Sequence, residues 1–365
     1  MKLECNLEKI GNAISLTERV TGKNLTLPVL GSILLIASGK SLKMRATNLN
    51  IGIEIEIPAK IETEGVVAVS GNVLSNVFSN ITQNENIILT EVDGNIVIET
   101  KKSKIKLKCN PYEDFPTIPA VSGTEFKIET KKLLDGIKSV YYSSAVSDIK
   151  PEISSVYVYS NEDNLVFVST DSFRLAEKKI KVKNLIDIPG ILIPFKNVPE
   201  ILRTFGENTD EVKVNFNKNQ LSLSSDGIYL TSRIIDGIFP DYRQILPKES
   251  KTEAVVLKQD LLNALKLSNI FSDKFNQLNL SINPDQKIFE IHSQNSNVGE
   301  NKTMLDGALT GDEVELSFNY KYFLDCLSSI NSDSIVLKLS GSNRPMVITG
   351  ASETSFTYLI MPMNK

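Results

Sequence analysis

The sequence predicts an α+β fold in which one domain-sized unit, made mostly of short antiparallel strands with two helices, occurs three times. The first observation is a repeated opening, a short strand that runs directly into an amphipathic helix, near Leu3, Phe126 and Ala254. The second is that short alternating apolar runs outnumber helical patterns between these starts. The predicted domains are residues 1–122, 123–249 and 250–365.

The repeated opening is clearest in Phe126–Ser144, where apolar residues recur at three- and four-residue spacing and therefore share one helix face. These residues are Leu133, Leu134, Ile137, Val140 and Tyr141. Thr130 stands where a helix N-cap is expected. The segment therefore predicts a strand followed by a capped helix.

In the first unit, helices are predicted over Leu7–Val20 and over the charge-free stretch Gly71–Ile81, which Ser70 is placed to cap. The apolar run Val29–Ile36 predicts a buried strand. Alternation of isoleucine with Gly or Glu in Ile51–Ile57 predicts a strand with one buried face. The other strands are Ile87–Val92 and Asn95–Thr100, joined by the hairpin signal Asp93-Gly94, and the charged edge strand Lys104–Lys108.

The middle and third units repeat this plan. Their further predicted helices are Val198–Phe205, Gln259–Phe271 and Tyr320–Ile330. Their predicted strands are Val156–Tyr159, Leu165–Ser169, Val212–Phe216, Leu221–Ser224, Ile228–Ile235, Leu278–Ile282, Ile288–His292, Ile335–Leu339, Met346–Thr349 and Phe356–Met361. The polar stretch Ser293–Lys302 predicts a long loop, and Phe239–Pro247, which holds two prolines, predicts a stiff connector.

The composition is that of an ordinary soluble protein, with 41% hydrophobic and 23% charged residues. No apolar run has membrane-spanning length and no secretory signal pattern opens the sequence, so a cytoplasmic protein is expected. Cys5, Cys109 and Cys326 lie far apart, which favours buried free thiols over a disulfide or a zinc site. The formal net charge of −4 excludes a globally basic protein but allows a local basic patch.

Motifs typical of phosphate-binding loops, zinc proteases and serine hydrolases do not occur in the sequence. His292 lies in a strand pattern without a neighbouring Ser, Cys or acid, which does not favour catalysis. Asp171 and Asp241 could form an acid–base pair, although acids in turns are usually turn formers. The sequence therefore predicts no catalytic residues, no cofactor and no metal ion, with a hydrolase that uses these two acids as the alternative.

Three stretches have unusual local chemistry. Thr170–Ala176 places an acid and an arginine three residues apart between apolar neighbours, which also fits a loop closed by an Asp–Arg ion pair. The connector Phe239–Pro247 is the second stretch. The third, Leu359–Lys365, carries Met-Pro-Met, which suits either an adaptable binding surface or a last strand packed into the core.

With Leu27–Leu30, these stretches resemble the bacterial DNA sliding clamp family, the beta subunit of the replicative DNA polymerase III holoenzyme. Thr-Asp-x-x-Arg-Leu-Ala, Phe-Pro-Asp-Tyr and Met-Pro-Met are specific to it when they occur in this order, and the resemblance covers essentially the whole chain. It implies three clamp-type domains and a head-to-tail homodimer that forms a six-domain ring around duplex DNA. A non-catalytic processivity factor that tethers DNA polymerase, clamp loader and repair proteins is therefore expected.

The resemblance also implies three sets of site residues. The partner-peptide pocket is formed by Ile153, Thr170, Ser172, Phe173, Arg174, Leu175, Pro240, Gln244, Ile245, Asn319, Tyr322, Leu359, Ile360, Met361, Pro362 and Met363. The dimer seam joins Ile105 and Leu107 of one chain to Ile270 and Phe271 of the other. Duplex DNA, which must be held without base readout, faces Lys23, Asn24, Lys9, Arg19, Lys138, Lys196, Arg203 and Lys266.

The sequence departs from the family pattern at three places in these sites. Ser172-Phe173 stands where Gly-His is frequent, and Gln244 and Asn24 each stand where arginine is frequent. The first two changes are expected to shift peptide preference while Arg174, held by Asp171, supplies a directional donor at the rim. At the DNA site, Lys23 is expected to supply the charge.

A third class of protein, a bacterial surface or scaffold protein made of β-rich repeats, fits the repetition alone. Its discriminating features are a signal peptide or specialised capping repeats, and neither occurs in the sequence.

Overall fold

The computed structural model describes residues 1–22, 26–81, 86–147, 149–183, 185–206, 210–247, 249–341 and 343–363. Its α-helices are α1 (Leu7–Glu18), α2 (Gly71–Ser79), α3 (Thr130–Val140), α4 (Val198–Thr204), α5 (Lys258–Ile270) and α6 (Tyr320–Leu327). No helix in the described ranges is long and apolar enough to cross a membrane.

Most of the strands are short, as predicted. Up to the middle of the chain they are β1 (Lys2–Asn6), β2 (Ser32–Ser38), β3 (Ser41–Thr47), β4 (Ile51–Thr63), β5 (Gly65–Ser70), β6 (Asn86–Val92), β7 (Asn95–Glu99), β8 (Lys104–Asn110), β9 (Thr124–Glu129), β10 (Ser155–Asn161), β11 (Asn164–Thr170) and β12 (Arg174–Lys181). The later strands are β13 (Ile191–Pro194), β14 (Glu211–Phe216), β15 (Gln220–Ser225), β16 (Ile228–Arg233), β17 (Thr252–Leu257), β18 (Gln277–Asn283), β19 (Ile288–Asn295), β20 (Gly299–Met304), β21 (Gly307–Gly311), β22 (Val314–Asn319), β23 (Ser334–Leu339), β24 (Met346–Gly350) and β25 (Phe356–Ile360). Their ladders are antiparallel, which confirms the α+β class.

Two compact units are formed, and the first contains residues 1–131 and 196–234. Its twelve-stranded sheet has the order β1-β6-β7-β8-β5-β2-β3-β4-β16-β15-β14-β9, and β1 also pairs with β4. Helix α1 buries Leu7, Ile10, Ala13, Ile14 and Thr17 against this unit. Removal of these apolar faces from water is the main term that stabilises the packing of helix on sheet.

The second unit contains residues 132–195 and 235–365. Its nine-stranded sheet has the order β13-β10-β11-β12-β25-β24-β23-β17-β21, and its four-stranded sheet the order β20-β19-β18-β22. Helix α6 buries Phe323 edge-on against Phe318 of β22, with ring centroids 5.8 Å apart. The connector, Phe239–Pro247, belongs to this unit and forms a short 3-10 turn over Tyr242–Ile245.

Several local predictions are confirmed. Ile51, Ile53, Ile55 and Ile57 are all buried on β4, whereas Glu56 is exposed. Asp93 and Gly94 both have positive φ, 49° and 72°, as the tight hairpin between β6 and β7 requires.

The predicted strand Val29–Ile36 is wrong in its first part, because residues Pro28–Gly31 form a 3-10 turn and β2 starts only at Ser32. Pro28 occupies the start of this turn, where its fixed φ suits a helical conformation. The predicted loop Ser293–Lys302 is also wrong. It continues β19 to Asn295 and forms β20 from Gly299, because the polar residues of β19 still alternate, with Ser293 buried and Gln294 exposed.

The two predicted hydroxyl caps are wrong as well. Thr130 is the first residue of α3, where its amide donates to the Asp210 carbonyl and its buried hydroxyl has no hydrogen-bond partner among the described residues. Ser70 precedes α2 but makes no side-chain cap bond. Side chains that do cap helices include Asn6, for α1, and Asn319, for α6.

The three cysteines are free thiols, as predicted, with Cys5 and Cys326 buried and Cys109 half-buried. Burial raises the pKa of Cys5 to about 12. The buried thiol is therefore protonated at neutral pH and packs as a small apolar side chain.

Candidate functional site

The turn between β11 and β12 displays Phe173. Asp171 Oδ1 accepts hydrogen bonds from the amides of Phe173 (2.9 Å) and Arg174 (3.0 Å). The Thr170 hydroxyl donates to the Arg174 carbonyl at 2.7 Å. This local network holds the turn in one shape and leaves Phe173 62% exposed.

Ser172 has φ +78°, in the left-handed region that glycine occupies without steric cost. We expect Ser172→Gly to raise the free energy of unfolding by roughly 0.5–1 kcal/mol, because relief of strain exceeds the added entropy of the unfolded chain. Denaturant unfolding checks this, with Ser172→Ala as the control that removes the hydroxyl and keeps the strain. Equal stability of the glycine and alanine variants would contradict the explanation.

Arg174 is anchored on several sides. Its Nε lies 3.0 Å from Asp171 Oδ2, Nη1 bonds Asp325 of α6, and Nη2 donates to the Tyr142 carbonyl at 2.6 Å. The guanidinium also lies 4.5 Å from the ring centroid of Tyr322. The predicted pair with Asp171 is confirmed. The role of Arg174 as a directional donor at the rim stays a prediction, and three of its five guanidinium N–H groups already bond within the chain.

Tyr142 and Asp325, which complete this anchor, were missed by sequence reasoning. Tyr142 contributes a backbone carbonyl, which carries no sequence signal. Asp325 lies three residues after Tyr322 on α6, a spacing that places both side chains on one helix face. That spacing could have indicated a shared contact.

The segment after β25 lies beside this turn. The Met361 amide donates to the Phe173 carbonyl at 2.8 Å, and the Met363 amide donates to the Ser317 carbonyl at 2.8 Å. Leu359 and Ile360 are buried in β25, where they pair with Leu175 and Arg174 of β12. Both interpretations of the Met-Pro-Met stretch therefore apply, since the strand is core while residues 361–363 are half-buried at the surface.

The connector packs into the same unit. Phe239 and Tyr242 are buried in one apolar cluster with Leu175 and Leu359. Ile245 remains about half exposed. The connector thus brings an apolar side chain to the surface of the unit that holds the β11–β12 turn and the terminal residues.

The predicted pocket residues fall into two groups by exposure. Those at the surface or half-buried are Ser172, Phe173, Arg174, Pro240, Gln244, Ile245, Asn319, Tyr322, Met361, Pro362 and Met363. Those buried beneath it are Ile153, Thr170, Leu175, Leu359 and Ile360. The second group can support the shape of a pocket but offers little surface to a ligand.

The alternative acid–base pair is engaged in local contacts. Asp171 is paired with Arg174, and Asp241 Oδ2 accepts a hydrogen bond from Gln244 Nε2 at 2.9 Å. His292 Nε2 lies 3.4 Å from a Glu300 carboxylate oxygen on the neighbouring strand. Within the described residues, no group of three or more His, Cys, Asp and Glu side chains is placed to hold a metal ion.

The predicted DNA-facing residues on or next to helices are solvent-exposed. Lys9, Arg19, Lys138, Lys196, Arg203 and Lys266 all lie at the surface. Arg203 is also paired with Glu200, with Nη1 and Oε1 2.9 Å apart. Lys23 and Asn24 lie outside the described residues.

The predicted seam residues occupy two distinct surfaces. Ile105 and Leu107 are half-buried on β8, which pairs with β7 over Lys104–Lys108 and meets β5 only at Cys109 and Asn110. One edge of Lys104–Lys108 is therefore open among the described strands, as an edge strand predicts.

On the second surface, Ile270 is 60% exposed at the end of α5, and Phe271 lies half-buried against Gly299. Leu267, Phe275 and Val298 are exposed apolar residues of the same region, and they were missed because single surface apolar residues carry no signal in sequence.

A repeated α+β architecture with an anchored Met-Pro-Met segment is that of the sliding-clamp class. The chain belongs to the DNA polymerase III beta subunit family: models of its N-terminal, central and C-terminal domains match residues 1–119, 127–241 and 243–364. Similar proteins include the beta sliding clamp of Buchnera aphidicola, 28% identical with 99% of this chain and 97% of that one covered. Another, from Synechococcus elongatus, is 24% identical and covers 100% of this chain and 99% of its own.

Solved structures with the same fold include the DNA polymerase III beta subunit of Pseudomonas aeruginosa, with a TM-score of 0.93, 24% identity and 100% of both chains covered. The sliding clamp of Bacillus subtilis has a TM-score of 0.94 at 22% identity, covering 100% of this chain and 99% of that one.

Proposed function

We propose that this chain is a DNA polymerase processivity factor, a sliding clamp that encircles duplex DNA without reading its sequence. The observation that carries the proposal is the match of all three domain models, in order, along the chain. The chain would act in the cytoplasm as three clamp domains, residues 1–122, 123–249 and 250–365, and two copies would close head to tail into a ring. A head-to-tail ring of two copies contains two equivalent seams.

The open edge of β8 and the exposed apolar end of α5 support the seam. An unpaired strand edge and a surface apolar group are both features that a second chain can cover. Ile105 and Leu107 would meet Ile270 and Phe271 of the partner, with Leu267 and Val298 adding apolar surface beside them.

Partner proteins would dock through short apolar peptides on the surface formed by the β11–β12 turn, the connector and residues 361–363. Phe173, Ile245 and the two methionines supply apolar contacts, and methionine adapts to different ligand shapes. Clamps of Pseudomonas aeruginosa and Bartonella birtlesii, similar in fold, have been solved bound to griselimycin. DNA polymerase, the clamp loader and repair proteins would share this surface.

The chain would have no catalytic activity of its own. The local pairing of Asp171 with Arg174 and of Asp241 with Gln244 supports this, because each acid already serves a structural contact. ATP used in loading would then belong to a separate loader.

Primer extension on a primed single-stranded circle tests the function directly. With the polymerase and loader of the same organism and ATP, addition of this chain is expected to lengthen the product made per binding event. Products of unchanged length, or ATP and DNA hydrolysis that follows the pure chain, would contradict the proposal.

Phosphate contacts should make DNA binding depend on salt. We expect Lys138→Ala, at an exposed position in the last turn of α3, to weaken binding equally for all sequences and to reduce the salt slope by about one unit per lost contact. Titrations of two unrelated duplexes across a salt series check this. Lys218→Ala, in an exposed turn between β14 and β15, is the control, and an equal effect of both changes would contradict the prediction.

A further inference from the structure

A series of polar side chains connects the connector to the nine-stranded sheet. Arg243 Nη2 lies 2.7 Å from the Tyr159 hydroxyl, which lies 2.8 Å from the Tyr242 hydroxyl. The Tyr242 hydroxyl in turn bonds Oε2 of Glu177. The other oxygen, Oε1, lies 3.1 Å from Lys179 Nζ.

The direction of every bond in this series is fixed by chemistry. An ionised carboxylate only accepts, so the Tyr242 hydroxyl donates a hydrogen bond to Glu177. Tyr159 must then donate to Tyr242, and its own oxygen accepts from Arg243, whose guanidinium can only donate. The bonds therefore run one way, from a cation at the surface to an anion inside, and each polarises the next.

The inner members of this series are buried, since Glu177, Tyr159 and Tyr242 are each at most 7% exposed. Tyr159 and Tyr242 pack in one apolar cluster with Val166, Val168 and Phe239. Burial, and then the hydrogen bond to Glu177, raise the pKa of Tyr242 well above its ordinary value, so the phenol stays a donor at neutral pH. Without the Tyr242 hydroxyl, Oε2 of the buried Glu177 would lack its hydrogen-bond donor. Other arrangements of these side chains are therefore disfavoured.

We propose that Glu177, Tyr242 and Tyr159 are positioning residues that fix the connector side of the partner-peptide surface. The inference rests on the proposed function and adds to it which residues set the geometry of that surface. Tyr242 and Arg243 immediately precede Gln244 and Ile245, two connector residues that face solvent. Fixing Tyr242 and Arg243 in place therefore also fixes Gln244 and Ile245, the side chains that would contact a peptide.

Strand β12 connects this hydrogen-bond series to the other parts of the proposed peptide surface. It begins at Arg174, next to Phe173, and carries Glu177 three residues later. It also pairs with β25, which leads into Met361. One strand thus fixes the turn, the connector and the terminal residues relative to one another, and Glu177 is its link to the connector.

The test uses griselimycin as the probe and the full chain. Glu177→Leu and Tyr242→Phe are each expected to weaken griselimycin binding about tenfold, because a connector that keeps its binding geometry only about a tenth of the time binds with about a tenth of the affinity. Glu177→Gln keeps an oxygen acceptor for Tyr242 and should stay within about twofold of the unaltered chain. Tyr229→Phe is the matched control, since Tyr229 anchors residues 119–121 of the other unit through its own hydroxyl.

Hydrogen–deuterium exchange separates positioning from general stability. Faster exchange confined to residues 239–247 in the Leu and Phe variants supports the inference. Faster exchange throughout the second unit, equal losses for Glu177→Gln and Glu177→Leu, or unchanged affinity in every variant would overturn it. If the unaltered chain fails to bind griselimycin, the proposed pocket itself is wrong, a result distinct from a variant without effect. If Tyr242→Phe fails to fold, the comparison of Glu177→Gln with Glu177→Leu still tests the inference.

Discussion

Deletion of Met361–Lys365 is expected to abolish binding of polymerase-derived peptides while the ring still forms and encircles DNA. The deletion removes both methionines and Pro362 from the surface, together with the amides that bond Phe173 and Ser317. Strand β25 ends at Ile360, so the buried Leu359 and Ile360 stay in place and the core of the unit is retained. Peptide titration by fluorescence anisotropy and native mass spectrometry of the ring check the two parts.

A variant with Met361→Leu and Met363→Leu controls for this deletion. Leucine is close to methionine in volume, so the surface keeps its apolar area and both backbone hydrogen bonds. Affinity should fall far less than in the deletion. If the truncated chain binds these peptides as tightly as the full chain, residues 361–363 do not belong to the pocket.

The double change Ile270→Ala, Phe271→Ala is expected to separate the ring into single chains at submicromolar concentration. Ile270 is mostly exposed in the single chain, so its apolar surface is free to be covered by a partner. Loss of the phenylalanine alone should cost roughly 3–5 kcal/mol per seam, and the ring has two seams. Sedimentation over a concentration series measures the dissociation.

Leu257→Ala is the control for the seam, because Leu257 is an exposed apolar residue at the opposite end of the same helix. It should leave the dimer intact. A double variant that stays dimeric at submicromolar concentration would place the seam elsewhere.

Local patterns predicted much of the fold. The isoleucine alternation in β4 and the Asp93-Gly94 turn depend on side-chain period and backbone φ, both of which are local properties. The end of β19 and the whole of β20 were not predicted, because these residues are polar on both faces and lack the apolar alternation on which the prediction depends. The conformation of these residues depends instead on packing against α5 and on the pairing of β19 with β18.

In the candidate site, too, local contacts could be predicted from the sequence and long-range contacts could not. The Asp171–Arg174 pair was visible as a three-residue spacing, whereas the contact from Arg174 to Asp325 spans most of two domains in sequence. In the sequence, Glu177 is one charged residue among several. Its hydrogen bond with Tyr242 becomes apparent only in the structure. Buried polar networks of this kind depend on tertiary partners that a single sequence does not mark.

Residence on circular DNA tests most directly whether the chain encircles its substrate. The chain is placed on a nicked plasmid with the loader of the same organism and ATP, isolated by gel filtration in moderate salt, and followed after the plasmid is cut once. A sliding ring is expected to stay on the circle for a long time and to leave promptly from the free ends after cutting. Equal retention on the circle and on the linear form would contradict encirclement.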